Sequence, residues 1–304
     1  MPVTRREFTS AGLGAGAVMA LGGPTLADAS LIKRAIPSSG EEIPIVGVGT
    51  NRYGVGNDAE LRAPLRGALR TFHELGGTVI DTAPDYRSSE TVLGELIEEL
   101  GIRDDLFMAT KVDQRGRDAN DARMERSFRL LKYEHIDLMQ CHNLIDWERA
   151  IPLLREWQES GRIRYVGLTT SRENQYAQTE KIMQTHDLDF LQVNYSLANQ
   201  RRSAERILPL AADRGMAVLL NRPFGGGGVF RKLSKEAIPE WAADLGIESW
   251  AQFLLKYALS HPSVTAAIPG MTKERHVVDN MGAARGAMPD AAQRRKMEQF
   301  FDTV

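Results

Sequence analysis

The chain has 304 residues, with 38 Lys and Arg against 40 Asp and Glu, a net charge of −2. That length holds one barrel or two medium domains, and the near-neutral balance excludes a nucleic-acid surface, which needs a basic excess. Hydrophobic residues make up 42%, as in a soluble globular enzyme, and the single cysteine, Cys141, excludes an internal disulfide.

Residues 1–29 read as a leader distinct from a barrel domain at 30–304. Thr4-Arg5-Arg6-Glu7-Phe8 is a twin-arginine pattern, followed by a small, weakly apolar run at 11–21 and the A-x-A sequence Ala27-Asp28-Ala29. This order fits a bacterial twin-arginine signal, with the export machinery as partner and the periplasm as destination. The run is too short and glycine-rich for a membrane span, so no stable membrane anchor is expected. Gly12-Leu13-Gly14-Ala15-Gly16 lacks the G-x-G-x-x-G spacing and a preceding strand, so it is not a dinucleotide fingerprint.

Beyond the leader, short apolar runs predict strands at 43–49, 78–81, 106–111, 136–142, 164–168, 190–193, 216–220 and 265–268. Stretches with a period near 3.6 predict helices at 61–75, 89–100, 121–131, 147–160, 174–185, 202–214, 249–259 and 273–283. Ser89 is read as an N-cap and Gly101 as a stop for the second helix. The four glycines in 224–230 predict an irregular loop, 238–246 a short extra helix, and 290–301 a last helix on the outside. Eight strand–helix alternations imply an α/β fold, a (β/α)8 TIM barrel. An open doubly wound sheet would need a Gly-rich phosphate turn after an early strand, and there is none.

In such a barrel the C-terminal ends of successive strands converge. Asp81 and Tyr86, then Lys111, then His142 follow strands about one βα unit apart. The pattern gathers an acid, a phenol, an ammonium and an imidazole around one point. Lys111 would lower the pKa of the Tyr86 phenol, Asp81 would hold Lys111, and His142 would point a ring N–H at a carbonyl oxygen. Singly, each residue has a plainer role: a turn cap, packing, a surface charge, a core histidine. No side chain supplies hydride, so a nicotinamide nucleotide must. The chain has no G-x-S-x-G elbow or H-E-x-x-H pair, and its six histidines are scattered, so no metal site is expected.

Ile80-Asp81-Thr82-Ala83 with Tyr86, Ser89-Glu90 and Leu93-Gly94 resembles the D-T-A-x-x-Y-G-x-S-E-x-x-L-G signature of the aldo-keto reductase superfamily. Ser127 to Leu131, Ile136-Asp137-Leu138, Gly161 to Arg164, Pro223-Phe224-Gly225 and Ile268-Pro269-Gly270 resemble its later motifs. The resemblance implies NAD(P)H-dependent reduction of aldehydes, ketones or sugar carbonyls, with Tyr86 as general acid and Asp81, Lys111 and His142 completing a tetrad. It assigns the nicotinamide carboxamide to Gln192, the pyrophosphate to Asn221, Arg222, Pro223, Phe224 and Gly225, and the adenine end to Asp279 and Asn280. Thr50, Thr169, Thr170, Gly270, Thr272 and His276 join the expected nucleotide contacts. NADP is the expected cofactor, with NAD compatible.

Departures are visible too. Thr170 stands where the family has an amide, Asn221 replaces a stacking aromatic, and Arg87 replaces a glycine. They leave a second reading, a non-catalytic nucleotide-binding partner protein of the same fold. Tyr53, Trp147 and Phe224 are candidate apolar walls of an open, permissive substrate pocket.

Overall fold

The computed structural model describes residues 30–199, 201 and 203–304. The leader expectation lies outside these residues. The described chain opens with an antiparallel hairpin, β1 (Lys33–Ala35) and β2 (Glu42–Pro44). Eight parallel strands follow: β3 (Val48–Gly49), β4 (Val79–Asp81), β5 (Phe107–Val112), β6 (Ile136–His142), β7 (Ile163–Thr170), β8 (Phe190–Asn194), β9 (Ala217–Asn221) and β10 (Ala266–Ala267). They lie in sequential order in one sheet. The bridges Val46 to Ala267 and Gly49 to Gly270 join its first and last strands, so the sheet closes into the expected barrel.

The predicted first strand, 43–49, is divided. Ile43 and Pro44 belong to the hairpin, and only Val48–Gly49 forms the barrel strand. Pro44 has no N–H for an interior ladder position. Gly47 lies so close to β4 that a Cβ there would meet the Val79 oxygen at 2.8 Å. Ile36 and Ile43 from the hairpin region pack with Val79, Phe107, Leu138 and Phe190 inside the barrel.

Between and after the strands run α1 (Ala59–Glu74), α2 (Ser89–Leu100), α3 (Arg117–Leu131), α4 (Trp147–Glu159), α5 (Tyr176–Thr185), α6 (Ile207–Asp213), α7 (Val229–Leu233), α8 (Trp250–Leu259), α9 (Glu274–Gly282) and α10 (Ala291–Thr303). Phe230, expected in an irregular loop, lies in α7, and the predicted helix at 238–246 is a 3-10 helix, Glu240–Leu245. Ser89 is not the N-cap of α2; Ser88 holds that position, and the Ser89 hydroxyl is buried against Thr50. Among the described residues, no helix is long and apolar enough to cross a membrane.

The two-residue period of a strand divides each sequence between two environments. Ile80, Met108, Met139, Cys141, Val166, Leu168, Leu191 and Val218 join the core between barrel and helices. Their neighbours Val79, Phe107, Ala109, Leu138, Phe190, Ala217 and Leu219 fill the barrel interior. Continuing that inward series by one step reaches Asp81, Lys111, Gln140, Gln192 and Asn221. The interior is therefore apolar below and polar at the C-terminal mouth, and this placement builds the site.

Candidate active site

The buried Lys111 ammonium donates to Asp81 Oδ2 at 2.7 Å and to the Thr82 carbonyl at 2.6 Å. Asp81 Oδ1 accepts from Gln192 Nε2 at 2.7 Å and Gln140 Nε2 at 3.2 Å. Gly167 makes room for this arrangement, since a Cβ there would meet Gln140 Cγ at 2.8 Å. Gln192 Oε1 accepts from the Thr169 hydroxyl at 3.0 Å. Strands β4 to β8 thus share one polar network centred on a carboxylate, which fixes the lysine and both amides before any ligand arrives.

Tyr86 stands above this network on the turn after β4. Lys111 Nζ lies 5.4 Å from its ring centroid, and the His142 ring meets it edge-on at 6.4 Å. The turn is tight. Arg87, in the position of the family's glycine, has φ +56°, and a Cβ on Gly54 would strike the Tyr86 carbonyl at 2.4 Å. Asn143 and Arg222, also at the mouth, have positive φ as well, a form of backbone strain that clusters at functional sites.

The electrostatics revise one expectation. The Lys111 ammonium pulls the Tyr86 phenol downward, but burial and the carboxylates of Asp81 and Asp85 outweigh it, and the phenol stands above its ordinary value. The pull of Lys111 is the largest single influence on the phenol, but burial together with the two carboxylates exceeds it. Burial pulls the Lys111 ammonium downward, but Asp81, and then Tyr86, more than reverse this and keep it protonated.

His142 is pushed down to about 3, first by burial and then by Lys111. Asp85 Oδ1 lies 3.8 Å from His142 Nδ1, a separation that would pass for an ion pair. The neutral imidazole makes it none at pH 7. An unfolded histidine binds its proton near pH 6.5, so between roughly 6.5 and 3 the unfolded chain carries the extra proton and stability falls as pH falls. The contribution approaches about 1.4 kcal/mol per pH unit in that window. Urea unfolding at pH 7 and pH 5 is expected to show this loss and His142→Gln to flatten it; an unchanged slope in the variant would remove the assignment.

The mouth opens into a cavity of about 1190 Å³. Thr50, Asp81, Tyr86, His142, Thr169, Gln192, Asn221, Arg222, Pro223, Phe224, Gly270, Thr272, His276, Asp279 and Asn280 all line it. Lys111 does not, being sealed behind Asp81 at 1% exposure. Four expected contacts lie elsewhere. Thr170 is buried, its hydroxyl donating to Gln175 and accepting from the Arg172 N–H. Gly225 faces a neighbouring cavity of about 260 Å³. Tyr53 is 1% exposed and donates to the Met271 carbonyl at 2.7 Å, tying the β3–α1 loop to the segment after β10. Trp147, on the first turn of α4, packs edge-on against His186. Neither aromatic lines this cavity.

Phe224 does line the cavity, paired with Phe230 at 5.0 Å between ring centroids. Asn51, Arg52, Asp85, Asn143 and Arg172 also line it and were not singled out from sequence. All lie within a few residues of a predicted strand end, which was the signal available.

The cavity fits a nicotinamide dinucleotide. It runs from Tyr86 past the β9 loop to α9. Asn221 Oδ1 is buried without a hydrogen-bond partner, a free acceptor beside Gln192. Gln192 itself has committed atoms at both ends of its amide, so Asn221 is the better placed of the two to meet a carboxamide N–H. At the far end, burial and the cations Arg275 and Lys273 press His276 below its ordinary value, which marks a positive field there.

The comparisons agree with this geometry. The family model "Aldo/keto reductase family" matches residues 45–295. The methylglyoxal reductase YeaE of Escherichia coli is 31% identical over 82% of this chain and 88% of its own length. The aldo-keto reductase YhdN of Bacillus subtilis is 30% identical, over 66% of this chain and 64% of its own. An aldo-keto reductase from Klebsiella pneumoniae, solved in complex with NADPH, superposes with a TM-score of 0.75 at 26% identity, over 89% of this chain and 96% of that one. With the family model spanning both the tetrad and the nucleotide end of the cavity, the chain belongs to the aldo/keto reductase family.

Proposed function

We propose that this chain reduces aldehydes and ketones, sugar carbonyls among them, with NADPH as reductant and Tyr86 as the proton donor. The observation that carries the reading is the Asp81–Lys111 pair beneath Tyr86, at the closed end of a cavity that fits the nucleotide. When bound, the nucleotide supplies the hydride. The chain supplies the rest. His142, held neutral, can donate a ring N–H to the carbonyl oxygen as charge develops there. Tyr86 gives that oxygen its proton. A phenol raised above its ordinary pKa is fully protonated at neutral pH, which suits an acid that must keep its proton until the alkoxide forms. Lys111 then steadies the phenolate.

NADP is favoured over NAD by the cationic field around His276, suited to a 2′-phosphate, and by the NADPH-bound Klebsiella relative. The Phe224–Phe230 pair forms one apolar wall of a lining that mixes polar and apolar residues, which favours small and varied carbonyls. The twin-arginine sequence supports a periplasmic location reached through the export machinery, with the nucleotide carried inside the folded protein.

The test is protein recovered from the exported fraction of a bacterial host, mixed with NADPH and a carbonyl panel while nicotinamide absorbance is followed. Oxidation of NADPH with several small aldehydes is the expected result. Strict preference for one bulky substrate would refute the permissive pocket, and retention in the cytoplasm the export reading. The second reading draws on Asn221 in place of a stacking aromatic, and on a plant protein called a probable voltage-gated potassium channel subunit beta, 23% identical to this chain. Nucleotide binding without turnover on any carbonyl would select it.

A further inference from the structure

We propose that Asp85, Asp113 and His142 form a divalent-cation site at the rim of the cavity, suited to Zn²⁺, whose occupation reversibly inhibits carbonyl reduction. The inference uses the cavity of the proposed reaction, but its binding test needs no turnover. One ligand atom from each residue lies within 4.8 Å of the others. The three come from the ends of β4, β5 and β6, so the barrel itself brings them together. His142 is 7% exposed, and its Nδ1 is buried with no hydrogen-bond partner.

A neutral imidazole has one N–H and one bare lone pair. If Nε2 carries the hydrogen, the bare Nδ1 lone pair lies 3.8 Å from Asp85 Oδ1, with Asp113 completing the cluster, an arrangement that a cation relieves.

Asp113 is held in place by Arg123 Nε at 2.9 Å and Gln114 Nε2 at 2.8 Å, both on Oδ1. Its Oδ2 receives only a longer bond from Arg123, at 3.3 Å. A carboxylate has about four lone-pair sites, so capacity for a metal remains. Ligands at about 2.1 Å from one ion stand no more than roughly 4 Å apart. The present spacing is slightly wider, and Asp85, exposed on its turn, is free to close it. One nitrogen and two carboxylate oxygens are a donor set that zinc accepts, with a fourth position left for water. An ion there sits beside the Tyr86 ring and in the path of the carbonyl.

The experiment is calorimetric titration of the untagged, NADPH-loaded protein with Zn²⁺, alongside reduction rates with and without a chelator. One equivalent is expected to bind. Asp85→Asn and His142→Asn should each weaken binding by about tenfold or more, and His73→Asn, which removes a surface histidine paired with Asp105, should not. Asp85 is exposed, so its variant is not expected to disturb folding, and retained NADPH binding will verify this. Absence of stoichiometric binding, or binding that ignores Asp85→Asn, overturns the site. Binding that leaves the reduction rate unchanged overturns the inhibitory role.

Discussion

Tyr86→Phe is expected to lower the turnover of carbonyl substrates by about 10²–10⁴-fold, the usual weight of a positioned general acid, while leaving NADPH affinity within about twofold. The change removes one oxygen and little else. Among the described residues the Tyr86 hydroxyl has no hydrogen-bonded protein partner, so no buried group is orphaned by its loss. The ring remains to meet His142 edge-on and to cover Lys111. The nucleotide end of the cavity, from Asn221 to Asn280, is untouched. Single-turnover rates and fluorescence titration with NADPH separate the two effects. A variant that reduces aldehydes at the wild-type rate would remove Tyr86 from the chemistry, and one that no longer binds NADPH would make it a nucleotide contact.

Lys111→Met should have the largest effect on stability, about 3–5 kcal/mol, the range for breaking a buried pair by removing one partner. The methionine fills a similar volume, so the loss is electrostatic. Asp81, 2% exposed, would keep two amide donors from Gln140 and Gln192 but lose the one cation paired with it among the described residues. Its charge would then sit in a medium that solvates it poorly. Asp81→Asn placed on top of Lys111→Met should recover part of the stability and none of the activity, because the phenolate would still lack its counter-charge. Denaturant midpoints and aldehyde reduction rates for the three variants test this. A single variant within about 1 kcal/mol of the parent would show that the pair does not hold the mouth together.

The strands were legible because a buried parallel strand is a short apolar run, and eight such runs alternated with amphipathic segments. The tetrad was legible because its members follow such runs at one-βα-unit spacing, and barrel geometry converts that spacing into proximity. The hairpin was not. Residues 43–44 look like the start of β3, and the pairing of Lys33 with Pro44 and Arg34 with Ile43 separates them from it. Tyr53 and Trp147 fall outside the cavity lining, because an aromatic side chain signals burial without saying against what. Ser89 was misread as a cap because serine is favoured at helix starts whether its hydroxyl serves the helix or, as here, the Thr50 loop. Asp85 and Asp113 drew no notice because each is an ordinary polar residue until β4 and β5 stand side by side.

The sequence by itself determined the closed barrel, the family and the four residues at its mouth, since periodicity and motif spacing are properties of the chain alone. Tertiary structure decided the direction of the Tyr86 phenol. That direction depends on burial and on four charges, Lys111, Asp81, Asp85 and Arg222, whose distances no spacing rule supplies. It also decided which polar atoms are already spent, leaving Asn221 Oδ1 and His142 Nδ1 without partners, because hydrogen bonds are settled by angstroms rather than by residue type.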